Sequence, residues 1–235
     1  DPNFPPGYVN LAWAFVFLQR FGDAGEAIQQ ASERGLEIPD LVLLPYYIAF
    51  LKGDTAGMER QAAVAQGRLG AEDWISNAQA FVLASNGRLQ SARSMSRRAI
   101  GLAQQGGQKE RAAMFEAGAA VREAFFGNAP EAGRSATAAL ALSNGRDVEY
   151  GAAFALAVSG DVSRSQILAN DLDKRFPEDT FVRFTCLPVL RALEPDRGRR
   201  AEKVSRQGEL RLQALPARLS LRRTPGRARL AGRAG

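Results

Sequence analysis

A glycine followed by a polar residue recurs along the chain at nearly constant spacing, and this repeat restricts the fold more than any other feature. Successive glycines are separated by 31, 34, 40 and 33 residues. The glycines are Gly22, Gly53, Gly87, Gly127 and Gly160. Periods of about 20 to 50 residues are typical of repeat arrays, in which each unit packs on its neighbours.

Small and apolar side chains recur at fixed distances after these glycines. Five residues after each glycine the side chain is small in four of five units, and twelve residues after it the side chain is apolar in four of five. The first set is Ala27, Met58, Ala92, Ala132 and Ser165, and the second is Arg34, Ala65, Ala99, Ala139 and Leu172. Since glycine readily ends a helix and small side chains let helices approach closely, each unit is predicted to be a helix, a tight turn and a second helix.

The segments before the turns have helical spacing. Tyr8, Leu11, Ala12 and Phe15 follow the i, i+3, i+4, i+7 pattern of one helix face. Alternation is scarce, and alanine is abundant where strands would favour valine, isoleucine or threonine. We therefore predict an all-α fold, an α-solenoid of about five helix-turn-helix repeats, with helices from about residue 5 to residue 179.

The first unit carries a recognisable set of residues. They are Tyr8, Leu11, Ala12, Phe15, Ala24 and Ala31. Together with the closing Arg175-Phe176-Pro177, this set resembles the tetratricopeptide repeat (TPR), a helix-turn-helix unit of about 34 residues, over about residues 1–194. In this register the first turn does not fall at Gly22, so two registers stay open for the first unit. The resemblance implies a right-handed superhelix whose first helices line a concave face that binds peptides or partner helices.

Four short stretches are similar to one bacterial group of such repeats. They are residues 49–54, 70–73, 123–128 and 174–180. In that group the repeats follow a serine/threonine kinase domain or a winged-helix regulatory domain. The resemblance implies an interaction or sensing module of a larger signalling protein, although the chain carries no kinase motif. The chain opens with Asp1-Pro2, without Met or a leader, which we expect to be the end of a preceding unit.

The net charge of +6 is unevenly distributed. Residues 1–195 carry 19 basic and 22 acidic side chains, whereas the last forty carry 12 basic and 3 acidic ones. The tail also has no aromatic residue, so it lacks the apolar surface that would offset the entropy cost of ordering it. We predict a repeat domain over residues 1–194 and a disordered, Arg/Ala/Gly-rich tail over residues 195–235.

Three interpretations of the tail stay open. It is a basic arm that binds nucleic acid or another anion, with Arg222, Arg223, Arg227 and Arg229 contacting phosphates. Without interleaved aromatic residues, such binding would be electrostatic and independent of sequence. Alternatively the tail is an inert extension, or it is an out-of-frame translation of a GC-rich gene that begins near residues 195–205.

The composition excludes most catalytic sites. There is no histidine and only one cysteine, so Ser-His-Asp and Cys-His arrangements are excluded, and no cofactor or metal is predicted. Residues 101–107 have the glycine spacing of a phosphate-binding loop but not its Lys and Ser/Thr, which favours a flexible linker. Cys186 is predicted to be a buried structural residue. The acid pairs Glu72-Asp73 and Glu178-Asp179 lie at predicted helix starts, where they are expected to cap the helix and stabilise its dipole.

Three aromatic pairs on the predicted first helices are the candidate binding residues. They are Trp13 with Phe17, Tyr47 with Phe50, and Tyr150 with Phe154. The competing interpretation is that they form the core between units. The sequence favours a non-catalytic scaffold that binds a protein or peptide. The alternatives are anion binding through the tail and a fragment of a serine/threonine kinase whose catalytic domain lies elsewhere.

The sequence also gives expectations for localisation and self-association. The longest uncharged runs, residues 8–19 and 41–51, are shorter than the roughly 20 residues that span a membrane. With one unpaired cysteine, a cytoplasmic setting is expected. We also expect self-association, because the end of a repeat array exposes apolar helix surface.

Overall fold

The computed structural model describes residues 3–36, 38–68 and 70–193, and the secondary structure of this part of the chain is helical, without strands. The ten array helices are α1 (Pro5–Phe17), α2 (Phe21–Glu33), α3 (Pro39–Leu51), α4 (Thr55–Ala65), α5 (Glu72–Ser85), α6 (Leu89–Gln105), α7 (Lys109–Phe125), α8 (Ala129–Leu142), α9 (Arg146–Val158) and α10 (Val162–Arg175). A π-helical turn, Val182–Cys186, then leads into α11, Leu187–Ala192. The predicted tail and its boundary lie outside the described residues.

The helices form five helix-turn-helix units, each made of an odd-numbered first helix and an even-numbered second helix. Gly53, Gly87, Gly127 and Gly160 occupy the turns of units two to five with φ between 71° and 89°. The N–H of the residue after each of these glycines donates to a carbonyl five residues back, at 2.8–2.9 Å. This is the Schellman arrangement, in which a left-handed residue ends a helix. The predicted all-α solenoid is confirmed.

The first unit uses a different turn residue from the one predicted. Gly22 lies inside α2, and the left-handed position belongs to Gln19, with φ 58°. The N–H of Arg20 donates to the carbonyl of Phe15 at 2.8 Å, as in the other turns. Counted from Gln19, the turns are separated by 34, 34, 40 and 33 residues. The register of Ala24 and Ala31 is therefore correct, and the Gly22 register is wrong.

The interior is built mainly from alanine. Twelve residues after each left-handed turn residue, the side chain is fully buried: Ala31, Ala65, Ala99, Ala139 and Leu172. Among the described residues, 26 of the 43 buried hydrophobic residues are alanine. Small side chains allow the helix axes to approach closely, so the units are held by many tight, individually small contacts.

Residues 101–107 are mostly not a linker. Gly101 to Gln105 belong to the last turns of α6, and only Gly107 adopts a left-handed conformation, with φ 71°. The prediction of a flexible linker is therefore wrong for the first five residues. Within the described residues, none of the helices has the length and apolar character needed to cross a membrane.

Candidate functional site

Two columns of residues run along the first helices of all five units. Six residues before the left-handed turn residue stand Trp13, Tyr47, Phe81, Val121 and Phe154. Two residues before it stand Phe17, Leu51, Ser85, Phe125 and Val158. The two columns are four residues apart and therefore lie on the same side of each helix. We call these ten residues the first-helix face.

Large apolar side chains on this face are exposed to solvent. Phe17 is 79% exposed, Leu51 52%, Phe81 50% and Phe125 68%. Each comes from a different first helix, so four consecutive units contribute one side chain each. Single exposed apolar residues are normal, but one such residue on the same face of each of four consecutive first helices, three of them at the same position of the repeat, is typical of an interaction surface.

Aromatic contacts connect the face across the first two units. The rings of Trp13 and Phe17 stack with centroids 5.8 Å apart, and Trp13 also lies 5.8 Å from the ring of Tyr47 on α3. Trp13 and Tyr47 are half-buried, and burial raises the pKa of the Tyr47 phenol. Phe17 therefore stands at the exposed end of a supported aromatic group.

A second aromatic group lies at the other end of the array. Phe125 on α7 packs 5.9 Å from Phe154 on α9, which lies 6.2 Å from Tyr150. Tyr150 in turn makes an edge contact with Phe181 at 6.4 Å, just before the π-helical turn. Burial raises the pKa of the Tyr150 phenol. The four rings thus join α7, α9 and the C-terminal end of the described chain.

The predicted binding residues fall into two kinds. Trp13, Phe17, Tyr47 and Phe154 belong to the first-helix face. Phe50 and Tyr150 stand outside its two columns and pack beside it, Phe50 against Phe81 at 6.4 Å and Tyr150 against Phe154. The binding role of all six stays a prediction.

Sequence reasoning missed three exposed members of this face: Leu51, Phe81 and Phe125. The available signal was their distance from the turn glycine, which is two residues for Leu51 and Phe125 and six for Phe81. The candidate binding residues were aromatic pairs within one helix, and these three residues have no aromatic residue four positions later.

Charge is distributed unequally along the first helices. α1 has no charged residue, α3 has only Asp40, and α5 has only Glu72 and Asp73 in its first turn. The remainder of these three helices is uncharged, whereas α7 carries six charged side chains. The first-helix face of units one to three therefore offers apolar contact without electrostatic attraction for a polyanion.

The two acids in the first turn of α5 pair with arginines of α6 and α7. Arg111 donates to the carboxylate of Asp73 at 2.9 Å and lies over the ring of Trp74, 5.3 Å from its centroid. Glu72 accepts the Gly67 N–H at 2.9 Å and also pairs with Arg98. Both acids lie in the first turn of α5, as the predicted stabilisation of the helix dipole requires. They bind arginines and a preceding turn rather than the first amides of α5, so the predicted capping is wrong for this pair.

The second acid pair behaves as predicted in part. Asp179 accepts the backbone N–H groups of Phe181 at 2.8 Å and Val182 at 3.1 Å, at the start of the π-helical turn. It also binds Arg146 at 2.8 Å, and that hydrogen bond is the main cause of its lowered pKa. Capping by Asp179 is thus confirmed.

A cleft of about 250 Å³ lined by α6, α7 and α8 contains four arginines, two of which pair with carboxylates. Arg93 binds Glu123, Arg134 binds Glu131, and Arg122 donates to the hydroxyl of Ser96 at 2.7 Å. Burial lowers the pKa of Arg122. Arg93 and Arg134 are thus held in ion pairs, whereas Arg97 donates to the hydroxyl of Ser94 at 3.3 Å.

The described part of the chain gives little support for a reactive cysteine or a metal site. Cys186 is fully buried, as predicted, and burial is the largest cause of its raised pKa, which disfavours the reactive thiolate. In residues 3–36, 38–68 and 70–193 there is no group of three His, Cys, Asp or Glu side chains positioned to hold a metal ion.

Known proteins give no match to this chain: no family model, no curated protein and no solved structure is similar to it. The functional interpretation therefore depends on the geometry of the chain itself. The feature that carries it is the first-helix face, with its exposed apolar row and supported aromatic groups.

Proposed function

We propose that this chain is a non-catalytic scaffold that binds a protein or peptide along its first-helix face. The observation that carries the proposal is the row formed by Phe17, Leu51, Phe81 and Phe125, one exposed apolar side chain on each of four consecutive first helices. Large apolar side chains presented on a rigid helical framework lose little conformational entropy on binding, and aromatic residues dominate the energetics of many interfaces.

The proposal extends to the type of repeat and to the larger protein that would contain it. The helix-turn-helix units, their period and the buried small residues after each turn support a TPR-like array. In such an array, the chain would serve as the interaction or sensing module of a larger bacterial signalling protein in the cytoplasm. A parent protein with a serine/threonine kinase domain is compatible with this role.

The test uses peptides selected for binding to the full chain from a random displayed library. Their affinity is then measured by fluorescence anisotropy for the wild type and for the triple variant Phe17→Ser, Phe81→Ser, Phe125→Ser. We expect the variant to weaken binding at least tenfold, which corresponds to about 1.4 kcal/mol. Its circular-dichroism signal should stay unchanged, because the replaced side chains are exposed.

The matched control is Ile167→Ser on the second helix α10, since Ile167 is 67% exposed and lies outside the first-helix face. The control should retain the affinity of the wild type. Peptides that bind the triple variant as tightly as the wild type would refute the proposal, as would peptides that lose affinity only with Ile167→Ser.

A second candidate function is anion binding through residues 196–235, favoured by their 12 basic and 3 acidic side chains. Affinity for a random DNA duplex should then fall steeply with salt concentration and disappear when residues 196–235 are deleted. Binding that persists in the truncated chain, or that does not respond to salt, would rule this candidate out.

A further inference from the structure

A small cleft opens where the second unit meets the third, and its lining is mainly apolar. Its volume is about 180 Å³. Tyr46 and Val82, which are 3% and 7% exposed, line it from α3 and α5, and the half-buried Met58 and Met95 line it from α4 and α6. We call it the methionine cleft. Since an apolar cavity of about 150 Å³ binds benzene in water, the methionine cleft is large enough for one aromatic ring.

The methionine cleft lies where the second unit departs from the repeat. Seven residues before the left-handed turn residue, the second unit has Tyr46 and the other four units have fully buried alanine. Five residues after it, the second unit has Met58 and the other four have a small residue that is at most 3% exposed. The first set is Ala12, Ala80, Ala120 and Ala153, and the second is Ala24, Ala92, Ala132 and Ser165. Because both large side chains line the cleft, the departures are local, as expected where a repeat serves a function besides packing.

The side chains of the methionine cleft suit an aromatic ligand. Met58 and Met95 bring two thioether groups from different second helices. Methionine sulfur makes favourable contacts with aromatic rings, and the unbranched side chain adapts to the shape of a ligand. Burial is the main cause that raises the pKa of the Tyr46 phenol to about 12, so the phenol is neutral at physiological pH.

A carboxylate gives the methionine cleft its charge. Of the described residues that line the cleft, only Glu59 is charged, and it is exposed. The neighbouring Arg60 pairs with Asp54, and Arg98 of the adjoining cleft pairs with Glu72. Within the part of the chain that the structure describes, Glu59 therefore has no ion-pair partner, and a cationic group on a ligand would complement it.

We propose that the methionine cleft binds a small aromatic amine, with its ring between Met58 and Met95 and its ammonium group beside Glu59. A ligand held there would contact two units at once and stabilise their junction. None of the residues that line the cleft belongs to the first-helix face, so the proposed peptide site stays free.

The test uses the full chain labelled with 13C at the methionine methyl groups and 2-phenylethylamine as the probe. The chain has three methionines, and Met114 on α7 lies outside the cleft and serves as the internal control. The methyl signals of Met58 and Met95 should shift saturably, because the bound ring would lie beside both groups, and the Met114 signal should not move. For about nine heavy atoms we expect a dissociation constant on the order of 1 mM.

Two variants test the charge and the cleft separately. Glu59→Gln should weaken binding of the amine about threefold, as for other exposed ion pairs, and should not change binding of the neutral 2-phenylethanol. Its matched control is Glu178→Gln, at an exposed position outside the cleft, which should bind both probes like the wild type. Thr55→Trp should abolish the shifts of both methyl signals, because Thr55 is exposed and lines the cleft, so that the new ring would fill it.

The outcomes that would overturn the proposal are equally specific. They are the absence of a saturable shift at Met58 and Met95, a Met114 signal that moves together with the other two, and shifts that persist in Thr55→Trp. Equal affinities of the wild type for the amine and the alcohol would also overturn it, because Glu59 would then play no part in recognition. Each of these results is independent of peptide binding at the first-helix face.

Discussion

Arg93 on α6 holds Glu123 on α7 through two charge-assisted hydrogen bonds, from Nε to Oε1 at 2.6 Å and from Nη2 to Oε2 at 2.7 Å. The carboxylate is 6% exposed, and the amide of Asn128 donates a third hydrogen bond to it at 3.0 Å. The bond to Arg93 is the main cause of the lowered pKa of Glu123. This pair links the third unit to the fourth.

Removing the cation should destabilise the array more than removing both partners. Arg93→Ala leaves a buried carboxylate without its counter-charge and should lower the free energy of unfolding by about 2–3 kcal/mol. The double variant Arg93→Met, Glu123→Leu should recover most of this loss, as measured by urea unfolding. Arg134→Ala breaks the exposed pair with Glu131 and should cost less than about 1 kcal/mol. Equal losses for Arg93→Ala and Arg134→Ala would contradict this prediction.

The left-handed conformation of Gln19 should be a local source of strain. Gln19→Gly should raise the free energy of unfolding by about 1 kcal/mol, because glycine adopts φ near 58° without the clash of a Cβ. Gly87→Ala is the reciprocal change and should lower the free energy of unfolding. No neighbour lies within 4 Å of the added Cβ, so only the backbone conformation, φ 74°, opposes the alanine. Opposite shifts in the urea midpoint are expected, and shifts of the same sign would show that backbone strain does not decide the outcome.

Glu149 should make stability depend on pH near neutrality. Burial is the main cause that raises its pKa to about 7, a hydrogen bond with Asp171 adds to this, and Arg175 opposes it. The folded chain therefore holds a proton that the unfolded chain, with an ordinary value of 4.5, releases earlier. As a result the free energy of unfolding should fall as the pH rises from about 4.5 to about 7, by up to ~1.4 kcal/mol per pH unit.

Glu149→Gln should remove this dependence, because the neutral amide does not titrate. The measurement is urea unfolding at several pH values in this window. Glu178→Gln, at an exposed position, is the control and should retain the wild-type slope. A Glu149→Gln variant with the same slope as the wild type would assign the pH dependence to other groups.

Trp13 and Phe17, the two residues of α1 on the first-helix face, should separate folding from binding. Phe17→Ala should change the free energy of unfolding by no more than about 0.5 kcal/mol, because the side chain is 79% exposed. Trp13→Ala removes a half-buried ring that packs on Tyr47 and should cost about 2 kcal/mol. Both changes should weaken peptide binding. A large stability loss for Phe17→Ala would identify it as core instead.

Cys186 should report unfolding through its reactivity. The thiol is fully buried and its pKa is raised, so it should react slowly with a disulfide reagent in native buffer and rapidly in urea. The labelling rate should follow the unfolded fraction seen by circular dichroism. Rapid labelling of the native chain would show that the C-terminal helices open independently.

The sequence predicted the architecture well because the repeat is local. Glycine at the turn and small residues five and twelve positions later act within one unit, and four of the five turns followed from these patterns. The exception is the first turn. There Gln19, a non-glycine residue, has the left-handed conformation, so the sequence pointed to Gly22 as the turn residue instead. Residue propensity alone does not reveal that a non-glycine residue takes the left-handed position of a turn.

The polar contacts between units could not be predicted. Arg93 and Glu123 are 30 residues apart, and Arg111 and Asp73 are 38 apart, so their pairing depends on the relative positions of packed helices. Glu123 is buried between helices, and its partner Arg93 explains how a carboxylate is accommodated there. The arginine partners of Glu72 and Asp73 could not be predicted for the same reason.

The alanine-rich interior has a consequence for how this chain can change over generations. At the 26 alanines among the 43 buried hydrophobic residues described, a replacement nearly always adds volume, because only glycine is smaller. Added methyl groups force packed helices apart, at a typical cost of about 1–3 kcal/mol. Substitution at these alanines should therefore be more restricted than at the core positions of a leucine-rich protein, and variation should accumulate on the exposed columns of the helices.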